Sequence, residues 1–200
     1  MTPLTTRELT PALLDGYLAF FDHDAFADFP WWSACFCRFW NDPGDPQGDS
    51  RPERRDRHRA LAADLVLRGQ TRGILAYADG KVIGWCNAAP RSSFLAPRRI
   101  AQTDPDPAEP VGATVCFIVA APYRGQGIAS AMLAAACDSF REQGLRYAEA
   151  YPNTTPPSGP YASETPWSAH NHLGPLEMYL GAGFRIHKEL ERFAVVRKML

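Results

Sequence analysis

The stretch FIVAAPYRGQGIASAMLAAA, residues 117–136, decides the fold. Its first part closes a continuous apolar run, VGATVCFIV, that suits a buried central strand ending at Val119. Its last part, with residues 126–142, reads as a helix with Ala129, Leu133, Ala136, Cys137 and Phe140 along one face and Gly144 ending it. Between them lies the turn Arg124, Gly125, Gln126, Gly127, Ile128, Ala129. A helix N-terminus carries unpaired N–H groups and the positive end of the helix dipole. Small residues at 125, 127 and 129 leave those groups open, so a pyrophosphate can come close. Arg124 can add a charge-assisted contact.

GQGIAS also fits the start of a dinucleotide fingerprint, but the context differs. That turn follows its strand almost at once, near the start of its domain. Here Ala120 to Tyr123 intervene, and over a hundred residues come first. Glycines that merely end a strand and open a helix are the bland alternative.

Working outward, ILAYADGKVIGWC predicts a hairpin turning at Asp79 and Gly80. Upstream, Ser50 reads as a helix N-cap with Glu53 completing a capping box, and the helix runs to about Arg68. Its arginines at 51, 54, 55, 57 and 59 are interleaved with Glu53 and Asp56 and read as a solvated face. Residues 10–40, rich in aromatics, predict one or two helices with a connecting loop, and residues 41–50 a loop. Residues 90–111 and 152–173 are Pro-rich and read as long loops. LRYAEAY predicts a strand, PLEMYLGAG a short helix, and FRIHKEL and RFAVVRKML closing strands. The order gives a mixed α/β (α+β) arrangement.

Bulk properties bound the function. A length of 200 residues suits one domain with a proper core. A net charge of -1 gives no sign of a nucleic-acid or membrane-surface partner. The N-terminal stretch does not read as a signal peptide, and no apolar run reaches membrane-span length. Five cysteines without an export signal read as reduced thiols in the cytoplasm. Cys35 and Cys37 are too close together for the usual zinc spacing, so no metal is expected.

Arg124 to Ala129 resembles the acyl-CoA signature of the GNAT N-acyltransferases, Q/R-x-x-G-x-G/A, placed after a strand. Tyr179 to Phe184, YLGAGF, resembles the Y-x-x-x-G-F element of that family, in the right order and at the right separation. The resemblance covers roughly residues 70–200; residues 1–70 fit the variable first helices in outline. Gly84-Trp85, Ala89-Pro90-Arg91, Cys116-Phe117 and Ala150-Tyr151-Pro152 further resemble a bacterial branch of these enzymes. The resemblance implies one GNAT-type domain over 1–200: a central, mostly antiparallel sheet with splayed central strands, flanked by helices. It implies acetyl-CoA as cosubstrate, a small-molecule or peptide amine as acceptor and, at the family level, a homodimer.

The implied reaction is direct attack by a neutral amine on the thioester, through a tetrahedral intermediate. The resemblance places the backbone of Ile118 and Val119 on the pantetheine arm, residues 124–129 on the pyrophosphate, and Asn171 near a coenzyme-contacting asparagine. It makes Tyr179 the acid that protonates the departing thiolate; a phenol is protonated at neutral pH. The base is where the sequence departs from the family. The strand before the turn reads GATVC, with no carboxylate. Glu149, sharing a strand face with Tyr147 and Tyr151, is one candidate; His170, His172, Glu177 and a water chain are others. A Cys116 acyl-enzyme is a further alternative, against a buried apolar thiol. The missing glutamate also motivates a second reading, a non-catalytic acyl-CoA-binding module. Phe94, Tyr161 and Trp167 in the long loops suggest an acceptor with an apolar part.

Overall fold

The computed structural model describes residues 3–41, 50–101, 106–156 and 170–200. Its frame is a seven-stranded sheet in the order β1-β2-β3-β4-β5-β7-β6. The strands are β1 (Thr5–Glu8), β2 (Gly73–Ala78), β3 (Lys81–Pro90), β4 (Val111–Val119), β5 (Tyr147–Ala150), β6 (Arg185–Glu189) and β7 (Ala194–Met199). Neighbours are antiparallel except β4 and β5, which run parallel. The mixed, mostly antiparallel sheet matches the expected fold class.

Strand alternation sorts the core into two layers. Leu75, Val82, Trp85, Ala113, Val115 and Val195 face one cluster, with Tyr17, Phe20 and Phe21 of α1 (Leu14–His23) and Ala62 and Val66 of α2 (Arg51–Leu67). Ile74, Ile83, Cys86 and Val196 face the other. There they meet Ile128, Met132, Leu133, Ala136 and Phe140 of α4 (Ile128–Glu142), and Tyr179 of α5 (Leu176–Gly181). Many of the N-terminal aromatics are therefore core, although Trp31 and Phe39 are exposed: the Tyr17 ring meets Trp85 edge-on at 5.1 Å, and Phe21 stacks on Phe36 at 5.4 Å.

The short-range signals hold. Asp79 and Gly80 have φ of 50° and 74°, the positive pair that a two-residue hairpin turn needs, and Ala78 pairs Lys81 across it. Ser50 caps α2 with a complete box: its Oγ accepts from Glu53 N at 3.4 Å, and Glu53 Oε2 accepts from Ser50 N at 2.9 Å. Ser50→Ala should lower unfolding free energy by about 1 kcal/mol, read by denaturant titration. A loss no larger than that of an exposed mid-helix substitution would show the box to be idle.

Three expectations need correcting. Residues 90–111 are not all loop, because α3 (Ala96–Ala101) lies within them. Ala96, Pro97, Ile100 and Ala101 are buried while Arg98 and Arg99 are exposed, and Pro97 sits in the first turn, where no N–H is needed. The arginine face of α2 is not simply solvated. Arg55 and Arg59 both bind Asp22 of α1, at 2.7 and 2.9 Å, and Arg51 lies over the Trp31 ring at 3.7 Å. Phe94 is buried in the core, so it does not line an open acceptor wall. Tyr161, Trp167 and residues 42–49 of the loop expected at 41–50 lie outside the described residues.

Candidate functional site

The site begins where β4 and β5 part. Their ladder runs from Val111 opposite Tyr147 to Thr114 opposite Ala150, and stops. β4 continues to Val119, still paired with β3 down to Gly84. The chain after Ala150 follows β7 instead: Pro152 O accepts from Ala194 N at 3.0 Å, and Asn153 bridges Phe193. Proline at 152 has no N–H to offer a neighbour. The result is a wedge between residues 115–119 and the β5 continuation. A bulge at Val115, which leaves it without a β3 partner between Thr114 and Cys116, adds twist at the same level.

Alternation decides which backbone groups of β4 face the wedge. Ala120 N donates to Ile83 O of β3 at 2.9 Å, so Ile118, two residues earlier and opposite Trp85, also turns its groups to β3. Phe117 and Val119 face the wedge. The expectation for Val119 fits this register. Ile118 instead turns its backbone groups to β3, because the bulge and the ladder with β3 set the phase, and Phe117 takes the wedge-facing place. The Phe117 N–H donates to the His172 carbonyl at 2.6 Å, and Arg124 Nε donates to the Val119 carbonyl at 2.9 Å. The His172 ring packs between the N-terminal tryptophans, 5.7 Å from Trp32 and stacked at 6.1 Å on Trp40.

Beyond Val119 a single helical turn, residues 121–123, leads into the glycine turn. Gly125 and Gly127 have φ of 73° and 79°, and no heavy atom lies within 4 Å of where a Cβ would stand on either. Gly127 is the N-cap of α4, with no side-chain hydrogen bond closing that end and no acidic residue in its first turn. Ile128 is buried and anchors the helix to the core, while Ser130 is exposed. Gln126 Nε2 donates to Pro122 O at 3.0 Å. An uncapped N-terminus with open space before it fits an anion.

The catalytic candidates are placed differently. Tyr179 is fully buried; its hydroxyl donates to Leu173 O at 2.6 Å and lies 3.3 Å from Thr114 Oγ1, the last β4 residue paired with β5. Burial pushes its phenol far above the usual value. The hydroxyl thus sits at the apex of the wedge but is turned to the protein's own carbonyl.

Glu149, buried, accepts from Arg91 Nη1 at 3.3 Å, Arg197 Nε at 2.5 Å and the Tyr151 hydroxyl. Glu109 ties the two arginines from outside, meeting Arg91 at short range and Arg197 Nη1 at 3.0 Å. Both Glu149 oxygens are occupied, so it is a poor place for an amine proton to go. His170 Nε2 is within 3.0 Å of Thr155 O, and Glu177 is exposed in the first turn of α5. The Asn171 carbonyl accepts from Gly174 N. Contact with the Cys37 thiol, then burial, raises the Cys116 thiol well above its usual range, which argues against an acyl-enzyme. Burial likewise lifts Cys35 to about 11. Among the described residues no group of three His, Cys, Asp or Glu is placed to hold a metal ion.

The sequence reading missed Phe117, Thr114, the His172 carbonyl and the partner of Arg124. That partner is Asp28, 96 residues away, and nothing local announces such a pair.

A parallel strand pair that splits beside an uncapped helix N-terminus leaves a gap in the sheet with unpaired N–H groups at its mouth. The chain belongs to the acetyltransferase (GNAT) family, whose sequence profile matches residues 29–158, well over half of it. No functionally curated protein matches it in sequence. Solved structures share the fold. A GCN5-related N-acetyltransferase from Kribbella flavida is 21% identical, with TM-score 0.56 and 98% of both chains covered. The PaiA N-acetyltransferase from Thermoplasma acidophilum, in complex with coenzyme A, is 12% identical, with TM-score 0.56 and 99% of both chains covered. YncA from Salmonella typhimurium, solved with acetyl-CoA, is 14% identical, with TM-score 0.51 over 98% of this chain and 94% of that one.

Proposed function

We propose that this chain is an N-acetyltransferase that moves the acetyl group of acetyl-CoA to an amine. The single observation that carries the reading is the parting of β4 from β5 beside the open N-terminus of α4. In this reading the N–H groups of residues 125–129 hold the pyrophosphate. The wedge-facing backbone of Phe117 and Val119 takes the pantetheine arm and the thioester end, in place of the His172 carbonyl. Tyr179 supplies the proton for the thiolate. The amine reaches the wedge from the side of Trp32, Trp40 and His172 and loses its proton to water rather than to Glu149. Five free thiols fit a reducing compartment such as the cytoplasm, and among the described residues no helix is long and apolar enough to cross a membrane. A homodimer belongs to this reading only at the family level.

A second reading is a binding or sensing module for acyl-CoA. It is favoured by one observation: both expected proton-transfer side chains, Tyr179 and Glu149, are bonded inside the protein. Calorimetric titration with acetyl-CoA, followed by a thiol-release assay over a panel of amines, separates the two. The enzyme releases thiol with at least one amine. Binding with no release above the buffer rate across the panel supports the module. No acetyl-CoA binding, with a thermal shift from NAD(P)H instead, removes both.

A further inference from the structure

Arg124 opens the glycine turn, yet its side chain is employed inside the protein. Nε donates to the Val119 carbonyl at 2.9 Å, while Nη1 and Nη2 grip the two carboxylate oxygens of Asp28 at 2.5 and 3.1 Å. This two-point, charge-assisted geometry is the strong form of the contact. One guanidinium thereby joins the end of β4, the start of the turn and the segment that follows α1. The hydrogen bond from Arg124 holds the Asp28 carboxyl below its usual range, against a smaller opposing effect of burial.

The turn needs such a fixture. The space where a Cβ would stand on either of its left-handed glycines is open. Ile128 anchors the far end and Gln126 the middle. At the near end Tyr123 packs against the core, and Arg124 is the side chain that ties the turn itself to the end of β4. Donors aimed in advance bind an anion better than donors that must be ordered on binding. Were Arg124 to swing to a phosphate, it would leave the Asp28 carboxylate without its guanidinium partner.

We propose that Asp28 is a positioning residue of the coenzyme turn: it holds Arg124 as a strut that fixes residues 124–129 against the end of β4, and Arg124 is not a phosphate ligand. The proposal rests on the acetyl-CoA reading above and gives Asp28 no contact with the reacting atoms.

The test is coenzyme A titration of the full chain and its Asp28→Asn, Arg124→Lys and doubly substituted forms, with amide hydrogen exchange on the ligand-free proteins. Asp28→Asn should weaken coenzyme A binding about threefold to fivefold, the scale of a well-formed, partly exposed ion pair. Arg124→Lys keeps the charge and loses the fork, so it should weaken binding similarly. The double variant should be no worse than the poorer single one. In turnover assays the Asp28→Asn change should fall on KM for the coenzyme more than on kcat.

A phosphate ligand predicts the reverse. Asp28→Asn would free Arg124 and leave binding unchanged or tighter, Arg124→Lys would keep most of it, and the strut would be overturned. Exchange at the hydrogen-bonded amides that bound the turn, Tyr123 on the Ala120 carbonyl and Ala131 on the Gly127 carbonyl, should quicken in ligand-free Asp28→Asn, whatever the chain binds; unchanged exchange there also overturns the strut. A wild-type chain that binds no coenzyme A sinks the functional reading, and the role of Asp28 in coenzyme binding with it.

Discussion

Gly127→Asp should weaken acetyl-CoA binding by more than tenfold, above about 1.4 kcal/mol. Gly127 is the N-cap of α4, at φ 79°. Two effects on stability oppose each other there. A left-handed backbone costs an L-residue about 1–2 kcal/mol. An aspartate at an N-cap returns about 0.3–1 kcal/mol, mainly by complementing the helix dipole. The variant should therefore stay folded, and the loss should lie in the ligand. The carboxylate would take the amides that the pyrophosphate needs and set like charge against it. Ala129→Glu reaches the same end without the backbone strain, since Ala129 is an ordinary residue of the first turn. Arg124→Ala should be milder than either, because the amides remain. Calorimetric titration beside a circular-dichroism melt reads both quantities. Unchanged affinity in a folded Gly127→Asp protein would remove the turn from the coenzyme site.

What could be read ahead of the structure depended on how far apart the deciding residues lie. The α2 cap is set by Ser50 and Glu53, the hairpin by Asp79 and Gly80, and the glycine turn before α4 by residues 124–129. Each is a contract among neighbours, so a sequence displays it. β1 is different: Thr5–Glu8 is polar and mostly exposed, and only pairing with β2 makes it a strand. The wedge was expected from resemblance, but its cause is long-range, the chain after Ala150 leaving β4 for β7. The phase of β4 was lost for a similar reason. One extra residue at Val115 and the ladder with β3 decide that Phe117 rather than Ile118 faces the wedge. Charge pairing was least legible. Glu149 looked like a free carboxylate among tyrosines, and only the fold brings Arg91 and Arg197 to it.

Tyr179→Phe should cost turnover about 100- to 10,000-fold while coenzyme affinity stays nearly normal. The place of the hydroxyl supports this. It stands 3.3 Å from Thr114, where the strands part, and burial keeps it protonated at any working pH. Its proton is directed at Leu173 O, one residue along the chain from the His172 carbonyl that holds the Phe117 N–H. Movement of residues 172–173 as the arm enters would free both groups together. The same variant should lose stability, because the Leu173 carbonyl is left without its buried donor; about 1–3 kcal/mol is expected. The two effects separate by measurement. Denaturant titration reads the first bond, and single-turnover thiol release at saturating coenzyme reads the acid. Tyr179→Phe that loses stability but keeps full turnover on a true acceptor would make the hydroxyl a tether for residues 172–174. The departing thiolate would then take its proton from solvent.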